Sequence, residues 1–125
     1  MNGFAHLLQR LTKKEEIYVP AFDRDTEHTI NCAYPIPGHD DLIIVEGNYL
    51  LLDEPMWRDL NDYWDLTAFV EIDLRLLRRR LIKRWIAQGF DDQETEAWIE
   101  TNDLPNTHRI LQNRIPEDVT LSMRN

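Results

Sequence analysis

The chain has one cysteine, Cys32, among its 125 residues. An internal disulfide is therefore excluded, and we expect a reducing compartment, the cytoplasm. No motif places a histidine or another base beside Cys32, so it is not assigned as a nucleophile. Long apolar runs are also absent, because none approaches the roughly 20 residues that a membrane-spanning helix needs.

Basic residues are in the minority. The 14 Lys and Arg residues against 23 Asp and Glu give a formal net charge of -9. We therefore expect neither nucleic acid nor an anionic membrane as a partner, although a local basic patch could still bind a phosphorylated small molecule. The four histidines have no metal-ligand spacing, and we expect them at the surface: His6, His28, His39 and His108.

The most informative stretch of the chain begins with four apolar residues, Leu42–Val45. Three of them are β-branched, which predicts a strand buried on both faces of a parallel sheet. Glu46 follows at the carboxyl end of this strand, where α/β sheets bind their ligands. Gly47 would allow a sharp turn or a close ligand there. The alternative is that Glu46 is only the first solvated residue after a core strand.

Along the rest of the chain, segments with the apolar spacing of a helix alternate with segments typical of β-strands. Apolar spacing predicts helices from Asn2 to before Lys13, from about Pro55, from Leu74 to about Gln88, and from Asp92 with an interruption or restart at 102–106. Strands are predicted at 17–19 (ended by Pro20), 66–72 (buried) and 119–121. An irregular loop that is either functional or mobile is predicted to reach Asp41. This order predicts an α/β fold with a mainly parallel sheet.

Two charged residues, Asp23 and Arg24, follow the first strand directly. They are either a binding pair at the end of a strand or a solvent-exposed pair, and the pattern leaves both open.

The helix predicted from Leu74 has an apolar stripe and six cations around it. A solvated face explains Arg75, Arg79 and Lys83. It does not explain Arg78, which projects among Leu74, Leu81 and Trp85. Because unpaired charge on a buried face is costly, either a carboxylate meets Arg78 or this part of the helix faces a cleft that holds an anion.

Four motifs together resemble the nucleoside/nucleotide kinase-like branch of the P-loop kinases, which is related to phosphoribulokinase, uridine kinase and pantothenate kinase. They are Val19–Arg24, Val45–Asp53, the pairs Leu77-Arg78, Arg80-Leu81 and Arg84-Trp85, and Asn102–Asn106. The resemblance implies ATP-dependent phosphoryl transfer to a small hydroxylated metabolite: a nucleoside, a sugar or a pantothenate-like acceptor. It also implies ATP and magnesium as cofactors.

The resemblance assigns roles to individual residues. Glu46 would be the catalytic acid near the phosphates and would hold magnesium indirectly. Asp23, Arg24 and Tyr49 would bind the acceptor. Arg78, Arg80 and Arg84 would belong to a lid helix, at about 74–89, that closes over the nucleotide phosphates. Phosphoryl transfer depends on such positioning and cationic stabilisation more than on covalent chemistry.

One family motif is absent, the phosphate loop G-x-x-x-x-G-K-[ST], since none of the four glycines is followed by lysine. We therefore expect residues 1–125 to be a single partial kinase-like domain, with a partial P-loop-type parallel sheet whose first strands would precede Met1. Such a chain would be marginally stable and inactive alone. It would need a complementing N-terminal segment or a homo-oligomer to act. The alternative is a non-catalytic pseudo-kinase fragment that serves as a binding or interaction module.

Overall fold

The computed structural model describes residues 2–123 and divides into two compact units, one up to Gly47 and one from Asn48 onward. The first unit begins with helix α1, Asn2–Thr12, as its apolar spacing predicts. The side chain of Leu8 is buried, as is that of Ile17 in the following strand. Arg10 Nε donates to Glu15 Oε2 at 3.0 Å across the turn after the helix. Among residues 2–123, no helix is both long and apolar enough to cross a membrane.

The rest of the first unit is mainly an antiparallel hairpin of β1, Ile17–Asp23, and β2, His28–Ile36. The prediction that the first strand ends at Pro20 is wrong, and so is the prediction of an irregular loop to Asp41. The register shifts between Val19 and Ala21, so Pro20 lies at an irregularity where its missing N–H costs little. The β2 sequence has apolar residues at alternate positions, Ile30, Cys32, Tyr34 and Ile36, but Pro35 within this run indicated a loop instead.

The buried strand predicted at Leu42–Val45 is not formed by the residues that the structure describes. This segment has no regular secondary structure, and Leu42 and Ile44 are 80% and 85% exposed. The four consecutive apolar residues favour a β-strand by composition. A strand also needs a hydrogen-bonded neighbour, which residues 2–123 do not supply here.

The second unit begins with a turn around Tyr49 that leads to a buried residue, Leu52. Leu52 forms an isolated antiparallel bridge with Arg114. The helix predicted from Pro55 is replaced by a turn and a 3-10 helix, Arg58–Tyr63, whose Leu60 is buried. An apolar residue of this segment, Leu60, is thus buried, but in a 3-10 helix that is shorter and tighter than the predicted α-helix.

A parallel pair of strands confirms the α/β class. Strand β3, Ala68–Ile72, pairs with β4, Val119–Met123, in the register Ala68 to Val119. The prediction that the 66–72 strand is buried is wrong for this structure, since Val70 is 53% exposed. With a single partner strand in the described chain, the faces of β3 are not fully covered.

The helices of the second unit are α2, Leu74–Ala87, α3, Asp92–Trp98, and α4, Leu104–Gln112. A one-turn π-helix, Ile99–Asp103, joins α3 to α4 at the predicted restart, with Pro105 in the first turn of α4. Asp73 caps α2, because its Oδ1 accepts from the N–H groups of Arg75 and Leu76. Gly89, with φ +95°, follows the end of α2 and has the backbone conformation that favours glycine.

Candidate functional site

Glu46 lies in the exposed segment after Val45, outside any strand. Within residues 2–123, no hydrogen bond or ion pair involves its carboxylate. The described residues also contain no cluster of three His, Cys, Asp or Glu side chains that could hold a metal ion. A single exposed carboxylate is a weak magnesium site, because magnesium usually needs a further carboxylate or substrate phosphates to complete its shell.

Asp23 is the last residue of β1, and its carboxylate closes the hairpin turn. Its Oδ1 accepts from the N–H of Asp25 at 2.9 Å and from that of Thr26 at 3.3 Å. The Thr26 side chain, followed by these N–H groups, lowers the pKa of Asp23 below its ordinary value. The local role of Asp23 is therefore that of a turn-forming aspartate. Arg24 is exposed within the same turn.

Tyr49 belongs to a small aromatic and charged cluster in the second unit. Its ring lies 5.3 Å from that of Trp57, and the Arg109 guanidinium lies 5.9 Å from its centroid. Arg109 makes a two-pronged ion pair with Glu54, with Nε donating at 2.8 Å. This pair lowers the pKa of Glu54 and raises that of Arg109. Sequence reasoning missed Glu54 and Arg109 because they lie 55 positions apart with no helical spacing between them.

Arg78 is met by two carboxylates, which decides between the two alternatives that the sequence left open. Its Nη1 donates to Glu100 Oε1 at 2.6 Å, and its Nη2 donates to Glu96. Hydrogen bonding to Glu100 raises the pKa of Arg78 further, so the guanidinium stays charged. In this structure the positive charge of Arg78 is therefore compensated from within the chain.

Arg80 and Arg84 are exposed on α2. The Arg84 guanidinium lies 5.3 Å from the ring centroid of Trp85. Residues four apart are neighbours on a helix, so these two arginines share one face. The structure thus brings Arg80 and Arg84 together and separates them from Arg78.

A second contact holds the far end of α2. Trp85 Nε1 donates to Asp103 Oδ2 at 2.7 Å. The Trp85 ring also lies 5.0 Å from Phe90 and 5.6 Å from Trp98. The spacing of Glu96, Glu100 and Asp103 at i, i+4 and i+7 was a readable signal, because it places three acids on one side of a helix.

The described residues do not by themselves fit a nucleotide triphosphate with magnesium. The donor set is one exposed acid, two exposed arginines and an arginine already engaged by carboxylates. The chain also has no glycine-rich loop whose N–H groups would surround the phosphates.

Comparison with known proteins places the chain among kinases, although no protein-family model matches it. It is 31% identical over 122 residues to the "ATP-dependent kinase-like protein notR'" of Aspergillus versicolor, covering 92% of this chain and 71% of that protein. The chain belongs to this family of ATP-dependent kinase-like proteins. By contrast, it spans about half of the first curated relatives, 43% of one from Escherichia coli and 51% of one from Schizosaccharomyces pombe.

Two solved structures are similar to this kinase-like chain. A "putative fructose transport system kinase" from Silicibacter sp. TM1040 is 36% identical, with a TM-score of 0.88 over 95% of this chain and 58% of that chain. YFH7 from Saccharomyces cerevisiae, described as a "putative P-loop containing kinase with a circular permutation", is 26% identical. Its TM-score is 0.70 over 88% of this chain and 36% of that chain. The P-loop kinase resemblance therefore extends to the fold.

Proposed function

We propose that this chain contributes to ATP-dependent phosphorylation of a small hydroxylated metabolite. The observation that carries the proposal is the fold match, with a TM-score of 0.88, to a protein described as a "putative fructose transport system kinase". The acceptor class remains a nucleoside, a sugar or a pantothenate-like alcohol. We propose a sugar as the first acceptor to test, because the "putative fructose transport system kinase" is 36% identical to this chain over 95% of its length.

In this proposal, the residues of the chain bind and position rather than form bonds. Arg80 and Arg84 offer positive charge to the phosphates of ATP, which would develop further charge during transfer. The family resemblance assigns acceptor binding to Asp23, Arg24 and Tyr49, and these roles stay predictions. It also implies that Glu46 would act near the phosphates and would hold magnesium through water. The donors that surround the phosphates would come from a complementing segment with a phosphate loop.

Two exposed features support the need for a partner. Both β3 and β4 expose apolar residues, such as Val70 and Leu121, and parallel sheets are normally covered on both faces. The segment Leu42–Val45 has the composition of a strand but no partner strand in residues 2–123. A complementing segment would satisfy both features, and a second copy of the chain is the other candidate. We propose the cytoplasm as the compartment.

The test is ATP consumption by the purified chain, with fructose and uridine as separate acceptors. We expect no turnover by the chain alone. Addition of a polypeptide that carries the G-x-x-x-x-G-K-[ST] segment of a longer relative should restore it. A matched polypeptide with the loop lysine replaced by methionine is the control. If the two polypeptides form a complex but turnover returns with neither fructose nor uridine, the proposal is contradicted.

The second candidate function is a non-catalytic interaction module. It is favoured by the engagement of Arg78 with Glu96 and Glu100, which leaves less positive charge for a nucleotide. This candidate predicts that the chain binds a protein partner but neither ATP nor tripolyphosphate. Calorimetric titration of these two ligands into the chain mixed with the phosphate-loop polypeptide separates the candidates.

A further inference from the structure

The three arginines that the family resemblance assigns to the nucleotide do not lie on one side of α2. At about 100° per residue, Arg80 and Arg84 are separated by about 40°, whereas Arg78 lies roughly 120–160° from both. Since α2 is a continuous helix from Leu74 to Ala87, the two sides face different surroundings. A division of roles between them follows from this geometry.

The Arg78 side of α2 is the side that packs within the unit. Arg78 reaches Glu96 on α3 and Glu100 on the π-helix. Two turns along the same side, Trp85 donates to Asp103 at the end of the π-helix. Contacts at both ends of a seven-residue interval fix the axial position and the rotation of α2 against the α3–π segment.

The local charge disfavours a phosphate at Arg78. Two carboxylates around one guanidinium leave the group with a net negative charge, and Asp103 lies farther along the same side. A polyphosphate would have to displace Glu96 and Glu100 or tolerate their repulsion. Arg80 and Arg84 are exposed on the other side, where the described contacts engage neither with a carboxylate.

We infer that Arg78 is a positioning residue, which docks α2 through Glu96 and Glu100, and that Arg80 and Arg84 form the anion-binding face. This inference rests on the proposed function, since the anion is the polyphosphate of ATP. It changes the family-derived assignment, because Arg78 then acts on the nucleotide only by holding the helix that presents the other two arginines.

The experiment uses the whole chain and four variants. Arg78→Gln and the double variant Glu96→Gln/Glu100→Gln test the docking. Arg80→Gln/Arg84→Gln tests the anion face, and Arg75→Gln/Arg79→Gln is its matched control with the same charge loss and spacing. Each is measured by thermal unfolding and by hydrogen exchange of the α2 amides. Calorimetric titration with MgATP and with tripolyphosphate uses the chain mixed with the phosphate-loop polypeptide, and a titration of that polypeptide alone is subtracted.

We expect the anion-face variant to bind at least about tenfold more weakly than the unaltered chain, since the loss of even one charge-assisted contact has this effect. Its Tm should not change, and the Arg75/Arg79 control should bind as the unaltered chain does. The docking variants should lower the Tm and speed exchange in α2. A fifth variant that combines the two sets of docking substitutions should show little further loss, because both sets remove the same contact.

Two results would overturn the inference. One is that Arg78→Gln weakens binding as much as the anion-face variant while its Tm and exchange stay unchanged. The other is that Glu96→Gln/Glu100→Gln tightens binding, which would mean that these carboxylates compete with the anion for Arg78. Failure of the unaltered chain to bind either ligand when it is mixed with the phosphate-loop polypeptide would instead overturn the proposed function, while unfolding and exchange would still test the docking role.

Discussion

Thr67 and Asp118 are joined by three hydrogen bonds although they lie 51 positions apart. Asp118 Oδ2 accepts from the N–H and the hydroxyl of Thr67, both at 2.8 Å, and the Asp118 N–H donates to the Thr67 hydroxyl at 3.0 Å. Both residues directly precede the parallel pair β3 and β4. This contact therefore fixes the register of the two strands at their first residues.

The first prediction concerns this register. Asp118→Ala removes the acceptor for both Thr67 donors, so we expect a Tm lower by several degrees, measured by circular dichroism at pH 7. Asp118→Asn keeps one carbonyl oxygen and should lose less. Ser122→Ala, at the other end of β4, loses only a 3.4 Å contact with Glu71 and serves as the control. An equal loss in the control would contradict the role given to Asp118.

The second prediction concerns pH. Hydrogen bonds from Arg114 and then from the Thr120 hydroxyl lower the pKa of Glu117 from its ordinary value of 4.5 to about 2. Because the pKa of Glu117 is lowered in the folded chain, its ionised carboxylate stabilises the fold at pH values above 4.5. This stabilisation is lost as the pH falls from 4.5 through about 2. Glu117→Gln should therefore be less stable than the unaltered chain at pH 7.

The same variant should approach the stability of the unaltered chain as the pH falls from 4.5 to 2. Urea unfolding at several pH values measures this convergence. The lowered pKa of Asp118, caused chiefly by the Thr67 hydroxyl, adds acid sensitivity in the same direction. A stability difference between Glu117→Gln and the unaltered chain that stayed constant down to pH 2 would contradict the prediction.

The third prediction concerns the core of the second unit. Ile99 is fully buried at the start of the π-helix, whereas Ile86 on α2 is 47% exposed. Ile99→Ala should lower the free energy of unfolding by about 2–5 kcal/mol, because it removes buried methylene groups and leaves a cavity. The matched variant Ile86→Ala should cost much less. Urea unfolding compares them, and equal losses would contradict the assigned core.

The fourth prediction concerns two glycines of the first unit. A Cβ atom at Gly38 would lie 2.0 Å from the carbonyl oxygen of Lys14, which is a backbone atom that cannot rotate away. Gly38→Ala should therefore destabilise the chain. At Gly3, within α1, a Cβ atom meets nothing within 4 Å, so Gly3→Ala should stabilise it by about 0.5–1 kcal/mol. Opposite shifts in Tm would confirm both, and a stabilising Gly38→Ala would contradict the packing.

Local signals in the sequence predicted α1, α2 and the restart before α4 well, because apolar spacing and a nearby proline act within a few residues of where they are read. The helix predicted from Pro55 formed only as a turn and a 3-10 helix. The kinase resemblance likewise depended on short motifs that remain legible in one chain. The α/β class followed from the order of these elements.

Long-range pairing could not be predicted, because it depends on partners that the sequence does not identify. Apolar residues alternate in β2, as at Ile30 and Tyr34, but the prolines Pro20 and Pro35 within the two strands indicated interruptions, and only their pairing makes the hairpin. Leu42–Val45 has the composition of a core strand, but the described residues provide no neighbour to pair with it.

The charge of Arg78 shows the same division most clearly. The sequence by itself determined that a cation on the apolar side of α2 needs a compensating anion. Only the tertiary structure decided that this anion is a pair of side chains, Glu96 and Glu100, because the folding of α3 and the π-helix beside α2 brings residues 18 and 22 positions away into hydrogen-bonding distance.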